Sequence, residues 1–111
     1  MADGQSELVA EAVFAALADA NRRAILAELT TSGPATVTEL AAALPLTRQG
    51  IAKHLALLAD AGLVAPEPGE GRRVRYRLQS GPMRVAQQFM AALARDWDEP
   101  LSALKAHLDP R

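Results

Sequence analysis

The chain has 111 residues, of which half are hydrophobic but only 4% aromatic, and its formal net charge is −1. This length allows one small domain but not two domains with separate cores, so residues 1–111 are predicted to form a single domain. Because the chain has no cysteine, disulfides, thiolate metal sites and cysteine nucleophiles are excluded. Because so few residues are aromatic, the core must be aliphatic and alanine-rich, and this composition favours helices.

No targeting or membrane segment is predicted. The N-terminus, MADGQSELVAEAV, is acidic and lacks a basic stretch followed by an apolar one, so it is not a signal peptide. No uninterrupted apolar run approaches the roughly 18 residues that a membrane span needs. We therefore expect a cytoplasmic protein with no membrane partner.

Positive charge is concentrated in the middle of the chain. Residues 1–46 carry two basic and six acidic side chains, whereas residues 47–84 carry seven basic and three acidic ones. Attraction to DNA requires a local basic patch of this kind, and the near-neutral total charge conceals it.

Three helices are predicted in the first 45 residues. Apolar residues recur at three- and four-residue spacing over about residues 6–17, which predicts an amphipathic first helix. Asp19 suits the N-cap of a second helix, ANRRAILAEL, which Gly33-Pro34 ends. Thr36 and Glu39 form a capping box for a short third helix.

The fourth helix follows a tight turn at LPL. Pro45 cannot continue the third helix, so the chain must turn there. Thr47 is predicted to cap the fourth helix, which runs to about Ala61, and Gly62 supplies its C-terminal stop. Two short helices joined in this way are a helix-turn-helix candidate.

The segment LVAPEPGEGRRVRYRL is typical of two short strands around a turn. Period-two alternation places Val74, Tyr76 and Leu78 on one face of the second strand and three arginines on the other. An apolar face packed on the helices and a basic face pointing outward would form a wing. The arginines of the outward face are Arg73, Arg75 and Arg77, and Arg72 belongs to the tip.

A long apolar stripe follows Gly81-Pro82 and predicts a last helix or pair of helices. Pro100 lies inside this stripe. It either kinks one helix or lies in the first turn of a second helix that Asp98 would cap. The predicted fold is a winged helix-turn-helix, mainly α with a small β-hairpin, in the order α-α-α-α-β-β-α.

Three motifs resemble those of the ArsR/SmtB family of bacterial winged helix-turn-helix repressors. FAALADANRRAILAEL is similar to that family's second helix, LTRQGIAKHLALLADAGLV to its recognition helix and GRRVRYRL to its wing. They cover roughly residues 10–80, and the tail resembles the subgroup without the metal signature. The resemblance implies a homodimer, joined mainly through its first and last helices, that binds a short inverted repeat in double-stranded DNA and blocks transcription.

The fourth helix is predicted to read DNA with one side. At about 100° per residue, Ile51, Leu55 and Leu58 share its buried side, while Gln49 and Lys53 project opposite to them. Gln suits adenine, and Arg and Lys suit guanine, in the major groove, which such helices read mainly with their N-terminal residues. A solvated helix face would show the same pattern, but the neighbouring basic strand favours base reading.

The predicted DNA contacts fall into two groups. The base-reading residues are Arg48, Gln49 and Lys53. The residues assigned to the DNA backbone are Thr47, His54, Arg22, Arg72, Arg73, Arg75 and Arg77. A structural role stays open for His54 and for one of Arg22 and Arg23. The strand arginines could instead merely solubilise an edge strand. Gly50 is unusual inside a helix, and we interpret it as allowing the backbone to approach DNA closely.

The apolar stripe of the last helix is predicted to form a dimer interface, because it is longer than a three-helix core can cover. Residues 80–108 are the predicted dimerisation segment. The interface residues are Leu8, Val9, Val13, Phe89, Leu93, Trp97, Leu101 and Leu104.

No metal or other cofactor is predicted. The family's third-helix site uses a Cys-x-Cys pattern, whereas the matching stretch here, TVTEL, has no thiolate. Asp96, Asp98, His107 and Asp109 resemble the family's last-helix site only superficially, because they include a single histidine, their spacing differs and Pro100 interrupts them.

An enzyme is not predicted, since the sequence has no Ser/His/Asp arrangement, phosphate-binding glycine loop or paired carboxylates. The alternative function is a winged-helix protein-interaction module that has lost DNA binding, against which the arginine-bearing strand argues. No motif identifies a small-molecule inducer.

Overall fold

A computed structural model describes residues 4–108 of the chain. It contains the helices and strands in the predicted order, with one short strand more than predicted. The elements are α1 (Gly4–Leu17), α2 (Ala20–Ser32), β1 (Ala35–Thr36), α3 (Val37–Ala43), α4 (Arg48–Asp60), β2 (Val64–Pro68), β3 (Val74–Leu78) and α5 (Gly81–Leu108). The winged helix-turn-helix architecture is therefore confirmed.

Side-chain caps begin the second and third helices as predicted. The carboxylate of Asp19 accepts hydrogen bonds from the backbone N–H groups of Asn21 (2.8 Å) and Arg22 (3.1 Å). Thr36 and Glu39 form the reciprocal capping box, with distances of 3.1 Å and 2.9 Å. The N–H of Arg22 lowers the pKa of Asp19, and the N–H of Thr36 lowers the pKa of Glu39.

The ends of α4 also have the predicted caps. The Thr47 hydroxyl accepts a hydrogen bond from the Gly50 N–H at 3.0 Å. At the other end, Gly62 adopts a φ of 75°, which an L side chain rarely adopts. The N–H of Leu63 then reaches back to the carbonyl of Leu58 at 2.9 Å, satisfying one of the last helical carbonyls.

One apolar cluster holds the helices and the sheet together. The three residues predicted for the buried side of α4, Ile51, Leu55 and Leu58, are all inaccessible to solvent. They pack with side chains from every other helix and from two strands. The cluster consists of Val13, Ala16, Ile25, Leu29, Ala35, Leu40, Ile51, Leu55, Leu58, Leu63, Val64 and Ala86.

The sheet has three antiparallel strands in the order β1-β3-β2. β1 was not predicted, because its two residues, Ala35 and Thr36, are too few to show alternation and Thr36 also begins the capping box. Tyr76 packs against the core as predicted. The prediction was wrong for Val74 and Leu78, which are 45% and 38% exposed, because they lie at the two ends of β3 and only its centre lies over the core cluster.

α5 is a single helix of 28 residues with Pro100 inside it, so the alternative of a second helix capped by Asp98 is wrong. Its first part packs on α1, where the rings of Phe14 and Phe89 lie 6.1 Å apart. Every side chain from residue 93 to residue 108 is exposed. The radius of gyration, 18.4 Å, therefore exceeds the roughly 13 Å typical of a compact domain of this size.

Burial of one side of α4 yields a first prediction. Leu55→Ala should lower the free energy of unfolding by about 2–5 kcal/mol, because it opens a cavity in the core. Leu57→Ala is the matched control, since Leu57 lies on the same helix but is 50% exposed. Urea denaturation at one protein concentration measures both. Equal losses for the two variants would contradict the orientation of α4.

Candidate nucleic-acid interface

The outward side of α4 brings the predicted base-reading residues together. Arg48, Gln49 and Lys53 are all exposed at the N-terminal half of the helix. Gln49 and Lys53 lie opposite its buried side, whereas Arg48, the first residue of α4, lies about 100° from Gln49 around the helix axis. Among residues 4–108 the ion pairs are confined to the wing, so no carboxylate of the described chain neutralises Arg48 or Lys53. The face therefore offers two free cations and one amide to a ligand.

Thr47 and Gly50 form one local unit at the start of α4. A Cβ atom built on Gly50 would lie 3.1 Å from the Thr47 hydroxyl oxygen, which is a tight contact. Glycine therefore has a structural reason to be here, besides the proposed close approach to DNA. The Thr47 oxygen accepts from the Gly50 N–H, which leaves its own O–H to donate to a phosphate.

His54 is half-buried on the side of α4, as predicted. Its Nδ1 atom is buried and has no hydrogen-bond partner within the described residues 4–108. The Nδ1 atom therefore does not support the alternative in which the His54 ring makes a hydrogen bond to a nearby group of its own chain.

Arg22 and Arg23 both contact the end of α1. The Arg22 guanidinium donates to the carbonyls of Ala16 (2.8 Å) and Ala15 (3.1 Å), and Arg23 donates to that of Leu17 (2.6 Å). The last carbonyls of a helix lack partners within it and attract cations. The Arg22 guanidinium therefore closes the α1–α2 corner with two of its five N–H donors, which supports the structural alternative for this side chain.

The wing exposes its arginines. Arg72 and Arg73 lie at the tip and the start of β3, and Arg75 and Arg77 follow on the same outward face, as predicted. Sequence reasoning missed Glu67 on β2, which forms ion pairs with Arg75 (3.4 Å) and Arg77 (3.5 Å). The strand register could have revealed this pairing, because a hairpin turn over residues 69–73 places Glu67 directly opposite Arg75.

The residues predicted for a dimer interface fall into three groups. Val13 is fully buried within its own protomer, so its assignment to the interface was wrong. The reason is that it lies on the side of α1 that faces the core cluster. Val9 and Phe89 are half-buried. The remaining five are exposed by 45–66% in the single chain, namely Leu8, Leu93, Trp97, Leu101 and Leu104.

Other binding chemistry is sparse in the described chain. Residues 4–108 contain no group of three His, Asp or Glu side chains placed to hold a metal ion. Asp109, the last member of the superficial metal pattern, lies outside the described residues. No helix within residues 4–108 has the length and hydropathy needed to cross a membrane.

Comparison with known proteins is consistent with this geometry. A family described as a helix-turn-helix domain matches residues 17–67. HTH-type transcriptional regulator Rv2034 of Mycobacterium tuberculosis is 44% identical over 94 residues, covering 85% of this chain and 83% of that protein. The uncharacterized HTH-type transcriptional regulator YuzN of Bacillus subtilis is 43% identical over 74 residues, covering 61% and 76%.

A solved structure extends the likeness to the whole fold. An ArsR-like transcriptional regulator from Rhodococcus sp. RHA1 superimposes with a TM-score of 0.77 at 36% identity, covering 91% of this chain and 93% of that one. The fold and its exposed basic helix define a winged helix-turn-helix transcriptional regulator. The chain belongs to the ArsR family of these regulators, which confirms the resemblance of its three motifs.

The hydrogen bonds of Arg22 yield a second prediction. Arg22→Ala should lower the free energy of unfolding by about 1–3 kcal/mol, because it leaves two helical carbonyls without their charged donor. Arg72→Ala is the control, since the exposed Arg72 side chain has no partner within residues 4–108 and its loss should leave stability unchanged. Denaturation curves compare the two. A stable Arg22→Ala protein with weakened DNA binding would restore the phosphate assignment.

Proposed function

We propose that this ArsR-family regulator acts as a homodimeric repressor that binds a short inverted repeat in double-stranded DNA. The observation that carries the proposal is the pairing of two exposed basic surfaces, the N-terminal half of α4 and the outward face of the wing. Repression follows if the bound dimer occupies a promoter. No cofactor enters this function.

α4 is the recognition helix of the proposal. A helix fits the major groove of B-DNA, and its N-terminal residues come closest to the base edges. The amide of Gln49 suits the donor and acceptor of adenine, while Arg48 and Lys53 suit the acceptors of guanine. The O–H of Thr47 and the half-buried ring of His54 lie beside this face and are assigned to phosphates.

The wing supplies contacts that do not depend on base sequence. Arg72, Arg73, Arg75 and Arg77 are exposed on the hairpin. Guanidinium groups bind phosphate oxygens, and each neutralised phosphate releases counterions and strengthens the salt dependence of binding. We therefore assign these four arginines to the DNA backbone flanking the sequence read by α4.

The second copy is proposed to bind along α5. Residues 93–108 extend past the protomer's own core, and their large apolar side chains are exposed in the single chain. An exposed apolar stripe of this kind is typical of an association surface. Residues 80–108, together with Leu8 of α1, form the proposed interface, which would set two recognition helices about one DNA turn apart.

The reading face yields a third prediction. After selection of a preferred duplex from a random DNA library, Gln49→Ala and Lys53→Ala should each lose about 1–3 kcal/mol of discrimination between that duplex and a scrambled one. Arg75→Ala is the contrasting variant, since loss of a phosphate contact should weaken binding to both duplexes equally. Fluorescence anisotropy at fixed salt concentration measures all three.

Two results would count against this proposal. Unchanged discrimination in the Gln49 and Lys53 variants would show that α4 reads DNA with another face. The absence of any enriched sequence in the selection would favour the alternative, a winged-helix module that binds protein.

The proposed interface yields a fourth prediction. Leu104→Asp places a charge in the apolar stripe and should convert the dimer to monomer, with Kd for dimerisation rising at least tenfold. Ala106→Asp is the matched control, because this exposed residue lies on the opposite side of the same helix. Sedimentation equilibrium measures the Kd of both variants. Equal dissociation in the two would place the interface elsewhere.

A further inference from the structure

The outward face of the wing contains one acidic side chain among its arginines. Glu67 lies on β2 directly opposite Arg75 of β3, and Arg77 lies diagonally across from it on the same face. Arg75 Nη2 is 3.4 Å from Glu67 Oε1, and Arg77 Nε is 3.5 Å from Glu67 Oε2. Each carboxylate oxygen thus faces one guanidinium group.

We propose that Glu67 is a positioning residue that occupies the place of a DNA phosphate between Arg75 and Arg77 and competes with DNA for them. This inference rests on the proposed DNA-binding function. Two guanidinium groups that converge on one anion form a site that phosphate fits as well as carboxylate, because both offer oxygens to N–H donors. DNA must therefore displace the carboxylate before it gains these two contacts.

The environment of Glu67 supports exchange with solvent ions. The side chains of the two arginines are each 46% exposed and that of Glu67 is 27% exposed, so a phosphate can reach both ion pairs. Exposed ion pairs of this kind are weak and are screened by salt. The contact is therefore weak enough for DNA to replace.

Gly69 leaves room for the Arg75 side chain in this position. A Cβ atom at Gly69 would lie 3.0 Å from Arg75 Cγ and 3.0 Å from the carbonyl oxygen of Arg73. The absence of a side chain therefore lets the stem of Arg75 pass over the turn towards Glu67. The hairpin backbone and the carboxylate together aim both guanidinium groups at one point.

Removal of the carboxylate tests the inference. Glu67→Gln should tighten binding to a DNA duplex by about 2- to 5-fold for each wing, because the arginines no longer exchange one anion for another. The slope of log Kd against log salt should also steepen, as more phosphate charge is neutralised. Glu67→Ala should change affinity in the same direction, and thermal unfolding confirms that both variants are folded.

Two controls separate competition from a general effect of charge. Glu70→Gln removes the same charge from the wing turn, where Glu70 makes no ion pair within residues 4–108. In the wild-type background Glu67→Gln should tighten binding more than Glu70→Gln does. In a background of Arg75→Ala with Arg77→Ala, the effect of Glu67→Gln should fall to that of Glu70→Gln. The loss of this excess is the expected sign of coupling through the two arginines.

The outcomes distinguish the two proposals. If Glu67→Gln tightens binding equally with and without the two arginines, its effect is only electrostatic and the inference is overturned. If the wild type binds DNA and Arg75→Ala weakens it, but Glu67→Gln changes nothing, the inference fails while the proposed function stands. If the wild type binds no DNA in low salt, both fail.

Discussion

Burial of Ile51, Leu55 and Leu58 is the constraint on which the rest of the molecule depends. These side chains are fully inaccessible and hold α4 against the core, so the rotation of the helix about its axis is set. Gln49 and Lys53 must then face solvent on the opposite side. The Thr47 cap and Gly62 fix the two ends of α4, which determines how far the polar face extends.

A second constraint comes from α5, whose apolar stripe continues beyond the core of its own protomer. Exposed side chains such as Trp97 and Leu104 are 61% and 53% accessible in the single chain. Water contact with so much apolar surface is unfavourable, and the proposed association with a second copy would supply the missing burial. The same association would fix the separation of two recognition helices, which links a hydrophobic interface to the choice of DNA site.

The features that could be predicted from the sequence depend on local patterns. The caps at Asp19, Thr36 and Thr47 and the alternation of the wing arginines need only a few neighbouring residues, and each was confirmed. The remaining features depend on contacts between distant segments. β1 exists because it pairs with β3, and Val13 is buried because the core cluster covers that side of α1.

The electrostatic roles were harder to predict for the same reason. The sequence left open whether Arg22 or Arg23 has a structural role, and the fold brings the last carbonyls of α1 to both guanidinium groups. The sequence shows that Glu67 adds a negative charge to the wing, but it does not show which residues Glu67 contacts. The strand register brings Glu67 next to two arginines. The number of basic residues in a sequence therefore does not show how many of them are free to bind a ligand, because some have partners within the fold.

Hydroxyl-radical footprinting on a duplex selected by the protein tests the central claim most directly. A dimer that reads sequence through α4 should give two protected stretches on one face of the DNA, about one helical turn apart, with weaker flanking protection from the wings. Gln49→Ala with Lys53→Ala should abolish the preference for that duplex. A single protected stretch, or protection unchanged on a scrambled duplex, would contradict a dimer that reads sequence through α4.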